Sequence, residues 1–67
     1  MVTFSTANRV RLSIKMKLSQ YSWYKSSLVI SDADGYSIVI NVKQLDNQIR
    51  KLIAPVVEGV SVKTEVE

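Results

Sequence analysis

Between residues 9 and 18, every even position is apolar and every odd position is polar. The even positions run from Val10 to Leu18, and the odd positions carry only arginine, serine or lysine. Successive side chains of a strand point to opposite faces, so this alternation is typical of a strand with one buried face. We therefore predict a strand over residues 9–18, with its even side chains in the core.

Two further strands are predicted from residue type. Residues 22–31 and 36–42 are rich in aromatic and β-branched side chains and are separated by turn-forming residues. A three-residue loop over 33–35 would place Ile30 opposite Ile38 and keep one face of the hairpin apolar. The sequence therefore predicts this register and an antiparallel meander of three strands.

The period of the apolar residues changes after the third strand. A spacing of i, i+4 and i+7 is typical of an amphipathic helix, which we predict over residues 42–54. Asn41 and Gln44 have the spacing of a capping box, and Pro55 prevents the helix from continuing. The helical spacing is carried by three residues: Leu45, Ile49 and Leu52.

The tail, residues 56–67, alternates valine with polar residues from Val60 onward. Three readings stay open: a fourth strand at the sheet edge, a strand that pairs with a second chain, or an end without fixed structure. The predicted fold class is α+β, a three-stranded antiparallel β-meander with one α-helix packed on one face and the tail as a candidate fourth strand. A chain of 67 residues has room for a single small domain, residues 1–67.

The composition excludes several kinds of chemistry. The chain has no cysteine and no histidine, which removes disulfides, the usual zinc ligands and the commonest general base. It also lacks a glycine-rich phosphate loop, so we predict a protein that is not an enzyme and uses no cofactor or metal. No apolar run approaches the roughly 20 residues of a spanning helix. We expect a cytoplasmic protein without a membrane partner.

The polar face of the predicted sheet carries basic and aromatic side chains. In the predicted register Lys15 lies opposite Lys25, and Lys17 lies opposite Trp23. Proteins that bind single-stranded nucleic acid use cations along the phosphates and flat rings against the bases. We therefore predict nucleic-acid binding by six residues of this face: Arg9, Arg11, Lys15, Lys17, Trp23 and Lys25.

Two other interpretations of this face remain. Alternating lysine and arginine are also the ordinary outer face of a surface strand and protect it from aggregation. The alternative function is a protein-interaction module, an inhibitor or adaptor of viral or mobile-element type. It would bind a partner by a strand edge or through the face of Trp23, Val29 and Val39. In either case a small core favours a homo-oligomer.

Charge is distributed unevenly along the chain. Residues 1–31 hold five basic and no acidic residues, which gives +5, and residues 32–67 hold four basic and six acidic residues, which gives −2. The sum is the formal net charge of +3. This asymmetry favours an anionic partner for the first half. It also allows a rival arrangement, in which the acidic tail of one copy docks on the basic face of another.

Overall fold

The computed structural model describes residues 2–33 and 35–67, with the backbone alone at Asp32. The chain is an α+β protein with one four-stranded sheet, which confirms the predicted class. The elements in chain order are α1 (Phe4–Leu18), β1 (Tyr24–Asp32), β2 (Gly35–Val42), α2 (Asn47–Leu52), β3 (Val56–Val57) and β4 (Val60–Val66). The strand order is β1-β2-β4-β3, and the sheet is mixed, so the prediction of a purely antiparallel meander is wrong.

Residues 9–18 belong to helix α1, and the prediction of a strand there is wrong. The helix buries Val10, Ile14 and Leu18, which share one side of either a helix or a strand because they are four residues apart. Leu12 and Met16 decide between the two structures: they are 44% and 80% exposed on the outer side of the helix. Arginine, lysine, leucine and methionine also have high helix propensity.

A side-chain cap starts α1 before the alternating segment begins. The Thr3 hydroxyl accepts a hydrogen bond from the backbone N–H of Thr6 at 3.2 Å, which satisfies one of the free amide groups of the first turn. Ala7 is fully buried one turn ahead of Val10 and extends the helical spacing toward the N-terminus. Lys15 and Lys17 lie in the last turn, where the helix dipole favours positive charge.

The β1–β2 hairpin has a register one residue away from the predicted one. Val29, rather than Ile30, lies opposite Ile38, and Leu28 lies opposite Val39. Because side chains alternate along a strand, this shift of one residue moves the side chains of residues 26–31 to the other face, whereas a bulge between Tyr24 and Ser26 places Tyr24 opposite Val42. The predicted loop over 33–35 includes Asp34, which lies outside the described residues.

Helix α2 is shorter than the predicted helix over 42–54, and it begins later. Its N-cap is Asp46, whose carboxylate accepts a hydrogen bond from the Ile49 N–H at 2.9 Å. Asn41 lies within β2, so the predicted capping box with Gln44 does not form. Ile49 is buried, whereas Leu52 is exposed on α2.

The tail forms β4, whose first two residues pair with β3 and whose residues 62–66 pair with β2 alone. It runs parallel to β2, with Ile38 opposite Val62, and the short strand β3 pairs with its beginning. A parallel neighbour requires a connection that crosses over the sheet, and the segment containing α2 provides it. The prediction of a fourth strand in the tail is therefore confirmed, and over residues 62–66 this strand has one strand neighbour, β2.

Both helices pack on the same sheet face and enclose one core. The side chains of α2 join those of α1 over the even-numbered residues of β2. On the opposite face Leu28 is exposed, whereas Ser37, Val39 and Asn41 of β2 are buried. No described helix combines the length and the apolar character needed to cross a membrane. The buried cluster consists of Ala7, Val10, Ile14, Leu18, Ile38, Ile40, Val42, Ile49, Ile53, Val60 and Val62.

Candidate nucleic-acid interface

Three of the six predicted site residues lie together in the structure. Arg11 and Lys15 are one turn apart on α1, and Lys25 lies at the start of β1, beside that side of the helix. They line a surface pocket of about 160 Å³, named here the basic pocket. Its complete lining is Arg11, Lys15, Tyr24, Lys25, Ser26 and Ser27.

Hydrogen bonds fix the polar side chains around the basic pocket. The Arg11 guanidinium donates from Nε and Nη2 to the Asn8 Oδ1 at 3.1 and 2.9 Å. The Tyr24 hydroxyl donates to the Ser27 Oγ at 3.0 Å. A guanidinium has five N–H donors, so Arg11 keeps three for a ligand while Asn8 holds its position.

The charge of the basic pocket is only partly balanced. None of its six lining residues carries a carboxylate. Lys25 forms an ion pair with Glu67, whose Oε2 lies 3.0 Å from the lysine Nζ. Lys15 and Arg11 have no ion pair with any described residue. Arg11 and Lys15 are therefore available to bind an external anion, whereas an anion that binds Lys25 must displace Glu67.

The other three predicted residues lie elsewhere. Arg9 is exposed and lies 3.7 Å from the Glu58 carboxylate. Lys17 lines a different pocket, on the far side of α1. Trp23 stacks on Tyr21, with ring centroids 5.0 Å apart and planes at 15°. The predicted opposition of Lys17 and Trp23 across two strands is wrong, because Lys17 is on a helix.

The face predicted for the alternative function is not assembled either. Val29 pairs with Ile38 on the side of the sheet that faces the helices. Val39 pairs with Leu28 on the opposite side. Trp23 precedes β1 and packs at the border of the core. A surface containing Trp23, Val29 and Val39 together therefore does not exist in this fold.

Four further residues lie at or beside the basic pocket and were not predicted from the sequence: Tyr24, Ser26, Ser27 and Glu67. Asn8, which orders Arg11 from one turn away, was missed as well. Helical spacing would have linked it to Arg11 and Lys15, since residues separated by three and four positions are neighbours on a helix. Among the described residues there is no group of three or more acidic side chains suited to hold a metal ion.

Comparisons with protein-family models, with curated proteins and with solved structures each found no match to this chain.

Proposed function

We propose that this protein is a small non-enzymatic protein that binds nucleic acid, and that the basic pocket receives a phosphate of the backbone. The observation that supports this proposal is the convergence of Arg11, Lys15 and Lys25 on one pocket without a lining carboxylate. Three cations on two different elements meet there although they are distant in the chain. Like charges so arranged repel each other, and a bound anion relieves that repulsion.

The pocket suits a phosphate in its hydrogen-bonding groups as well as in its charge. Two hydrogen bonds to Asn8 hold the Arg11 guanidinium in one orientation. Its three other N–H groups can therefore donate charge-assisted hydrogen bonds to a phosphate. Lys15 is exposed and contributes a mobile ammonium. The hydroxyl groups of Ser26 and Ser27 lie at the same pocket. Their oxygens accept hydrogen bonds from Asn41 Nδ2 and from the Tyr24 hydroxyl, which leaves their O–H groups able to donate to phosphate oxygens.

Trp23 lines no part of the basic pocket, but it is the proposed stacking residue. One face of its ring is occupied by Tyr21, and the side chain is only partly buried. It directly precedes Tyr24, which lines the pocket. Base stacking on an aromatic ring is worth about 1–3 kcal/mol and is tolerant of sequence. Trp23 is the only tryptophan in the chain, so its fluorescence reports on this position alone.

The test measures binding of labelled single- and double-stranded oligonucleotides at two salt concentrations by fluorescence anisotropy. The triple variant Arg11→Gln, Lys15→Gln, Lys25→Gln removes the charges of the basic pocket. The matched control, Lys43→Gln, Lys51→Gln, Lys63→Gln, removes the same charge from exposed positions elsewhere.

We expect the pocket variant to lower affinity and to reduce the slope of log K against log salt by about 2, at roughly 0.7 per single-strand phosphate contact. The control variant is expected to keep most of the affinity and of the slope. Equal losses in the two variants would show attraction by net charge alone and would contradict a defined site. Absence of binding by the unmodified protein at low salt would overturn the proposal.

The second candidate function is protein binding by strand addition along β1. One observation favours it: β1 is a nine-residue strand at the end of the sheet and has a strand partner on one side only. Its middle carries Leu28, which is exposed, and an exposed edge of this kind accepts a further strand. A second copy of the chain would make a homodimer in this way. Sedimentation of the protein and of Leu28→Lys tests it, since a charged side chain on an exposed edge strand disfavours pairing with a further strand.

A further inference from the structure

A second pocket lies on the other side of α1 and plays no part in the proposed nucleic-acid site. It opens between α1 and the segment formed by α2 and β3, over the central strand β2. Lys15 and Lys17 face different pockets because residues two apart on a helix differ by about 200° in direction. The lining of this interhelical pocket is Ser13, Ile14, Lys17, Leu18, Ile40, Leu52, Ala54 and Val57.

The interhelical pocket has the size and lining of a site for one ring. Its volume is about 150 Å³, and an apolar cavity of about this volume accommodates benzene. Ile14, Leu18 and Ile40 belong to the buried core and form its inner part. Leu52 is half exposed at the outer part, where a bound apolar group would remove its side chain from water.

Ser13 and Lys17 give the interhelical pocket polar groups that a void between apolar side chains lacks. Lys17 and Ser13, one turn apart on α1, are exposed and lie on its helix side. Lys17 has no ion pair with any described residue, and no carboxylate lines the pocket. An occupant with a negative group would therefore find an ammonium and a hydroxyl beside an apolar cavity.

We propose that the interhelical pocket binds a small aromatic carboxylate, with the ring against Ile14, Ile40 and Leu52 and the carboxylate at Lys17. The charge of the helix supports an anion over a neutral ring: α1 carries four basic residues and no acidic one. The proposal is independent of nucleic-acid binding, since it uses neither the basic pocket nor Trp23.

The test is a methyl NMR titration with phenylacetate, with benzyl alcohol as the neutral probe of similar shape and acetate as the probe without a ring. We expect saturable shifts at Ile14, Ile40 and Leu52 with phenylacetate. Benzyl alcohol is expected to bind about two- to fivefold more weakly, the difference that one exposed charge pair makes, and acetate to cause no saturable shift.

Two matched lysine variants separate the local ammonium from the overall charge. Lys17→Met is expected to lower phenylacetate affinity to that of benzyl alcohol, whereas Lys63→Met, at an exposed lysine that lines neither pocket, leaves both affinities unchanged. Equal weakening by the two variants would overturn the role of Lys17. Equal binding of the two ring probes to the unmodified protein would overturn the carboxylate assignment.

Filling the cavity tests the position of the ring. Ala54→Leu and, separately, Ser13→Leu enlarge exposed lining residues, so neither variant changes the buried core. Each is expected to abolish the saturable shifts while the rest of the spectrum stays that of the folded protein. Unaltered binding in both variants, or absence of saturable shifts in the unmodified protein, would overturn the proposal.

Discussion

The Lys25 ammonium lies 3.0 Å from a carboxylate oxygen of Glu67, so the end of β4 lies beside the basic pocket. The position of Glu67 is fixed by its backbone, because its N–H donates to the Val42 carbonyl at 2.9 Å. A carboxylate at this distance satisfies one of the three cations that we propose for phosphate binding. Glu67 therefore competes with a phosphate for Lys25.

Replacing Glu67 by glutamine is expected to tighten oligonucleotide binding. The ion pair is about half exposed, and pairs of this kind contribute about 0.2–1 kcal/mol, so the Kd should fall by no more than about fivefold. The measurement is an anisotropy titration at low salt. Glu65→Gln is the matched control, since Glu65 lies two residues earlier, on β4, and forms no ion pair with any described residue. Equal gains in the two variants would contradict a direct competition.

The helical assignment of α1 predicts unequal costs for two neighbouring apolar residues. Leu12→Ala should change the free energy of unfolding by no more than about 0.5 kcal/mol, because Leu12 is exposed. Ile14→Val removes one buried methyl group and should cost about 0.5–1.5 kcal/mol. Urea denaturation measures both values. A loss of several kcal/mol for Leu12→Ala would instead match a strand with Leu12 in the core.

The N-cap of α2 gives a third prediction. Asp46→Ala should lower the free energy of unfolding by about 1 kcal/mol, because the Ile49 N–H loses its acceptor. Asp46→Asn should keep most of the stability, since asparagine caps as well as aspartate. Gln44→Ala is the control for the capping box expected from sequence, and thermal or urea unfolding should show little effect. A larger cost at Gln44 than at Asp46 would contradict the observed helix start.

The turn between β3 and β4 stores backbone strain at one residue. Glu58 and Gly59 have φ angles of 50° and 81°. They are the two loop residues of the hairpin, and positive φ at both positions is characteristic of a type I′ turn. Gly59→Ala should cost about 1–2 kcal/mol, and this cost is conformational because an added Cβ meets no atom within 4 Å. Glu58→Asn should raise the free energy of unfolding by up to about 1 kcal/mol.

Calorimetry is the measurement for both turn variants. Arg9→Gln serves as the control for Glu58→Asn, because it removes the same 3.7 Å ion pair without changing the turn. A lower stability for Glu58→Asn than for Arg9→Gln would show that the positive φ carries no strain. The pair itself is exposed, so its own contribution should be small.

The sequence predicted the α+β class and two of the strands, but it could not separate a helix from a strand over residues 9–18. Val10, Ile14 and Leu18 fit both periods, since a separation of four residues returns to the same side in each. Leu12 and Met16 made the alternation complete although both are exposed. The features that indicate a helix precede residue 9: Thr3 is the N-cap residue, and Ala7 lies at helical spacing from Val10.

The same geometry explains which site residues were predicted together correctly. Arg11 and Lys15 are four residues apart, so they share a side in a strand and in a helix. Arg9 and Lys17 share that side only in a strand, and the helix turns both away from it. Lys25 lies beside Arg11 and Lys15 because β1 packs beside α1, and no local pattern in the sequence specifies that packing.

An NMR titration with a short single-stranded oligonucleotide tests the proposed site most directly. Saturable amide and side-chain shifts should be largest at Arg11, Lys15 and residues 24–27, with quenching of Trp23 fluorescence over the same concentration range. The triple variant Arg11→Gln, Lys15→Gln, Lys25→Gln should raise the oligonucleotide concentration that both signals require. Shifts centred on the exposed Leu28, on the sheet face opposite the helices, or no saturable shift at low salt, would contradict nucleic-acid binding at the basic pocket.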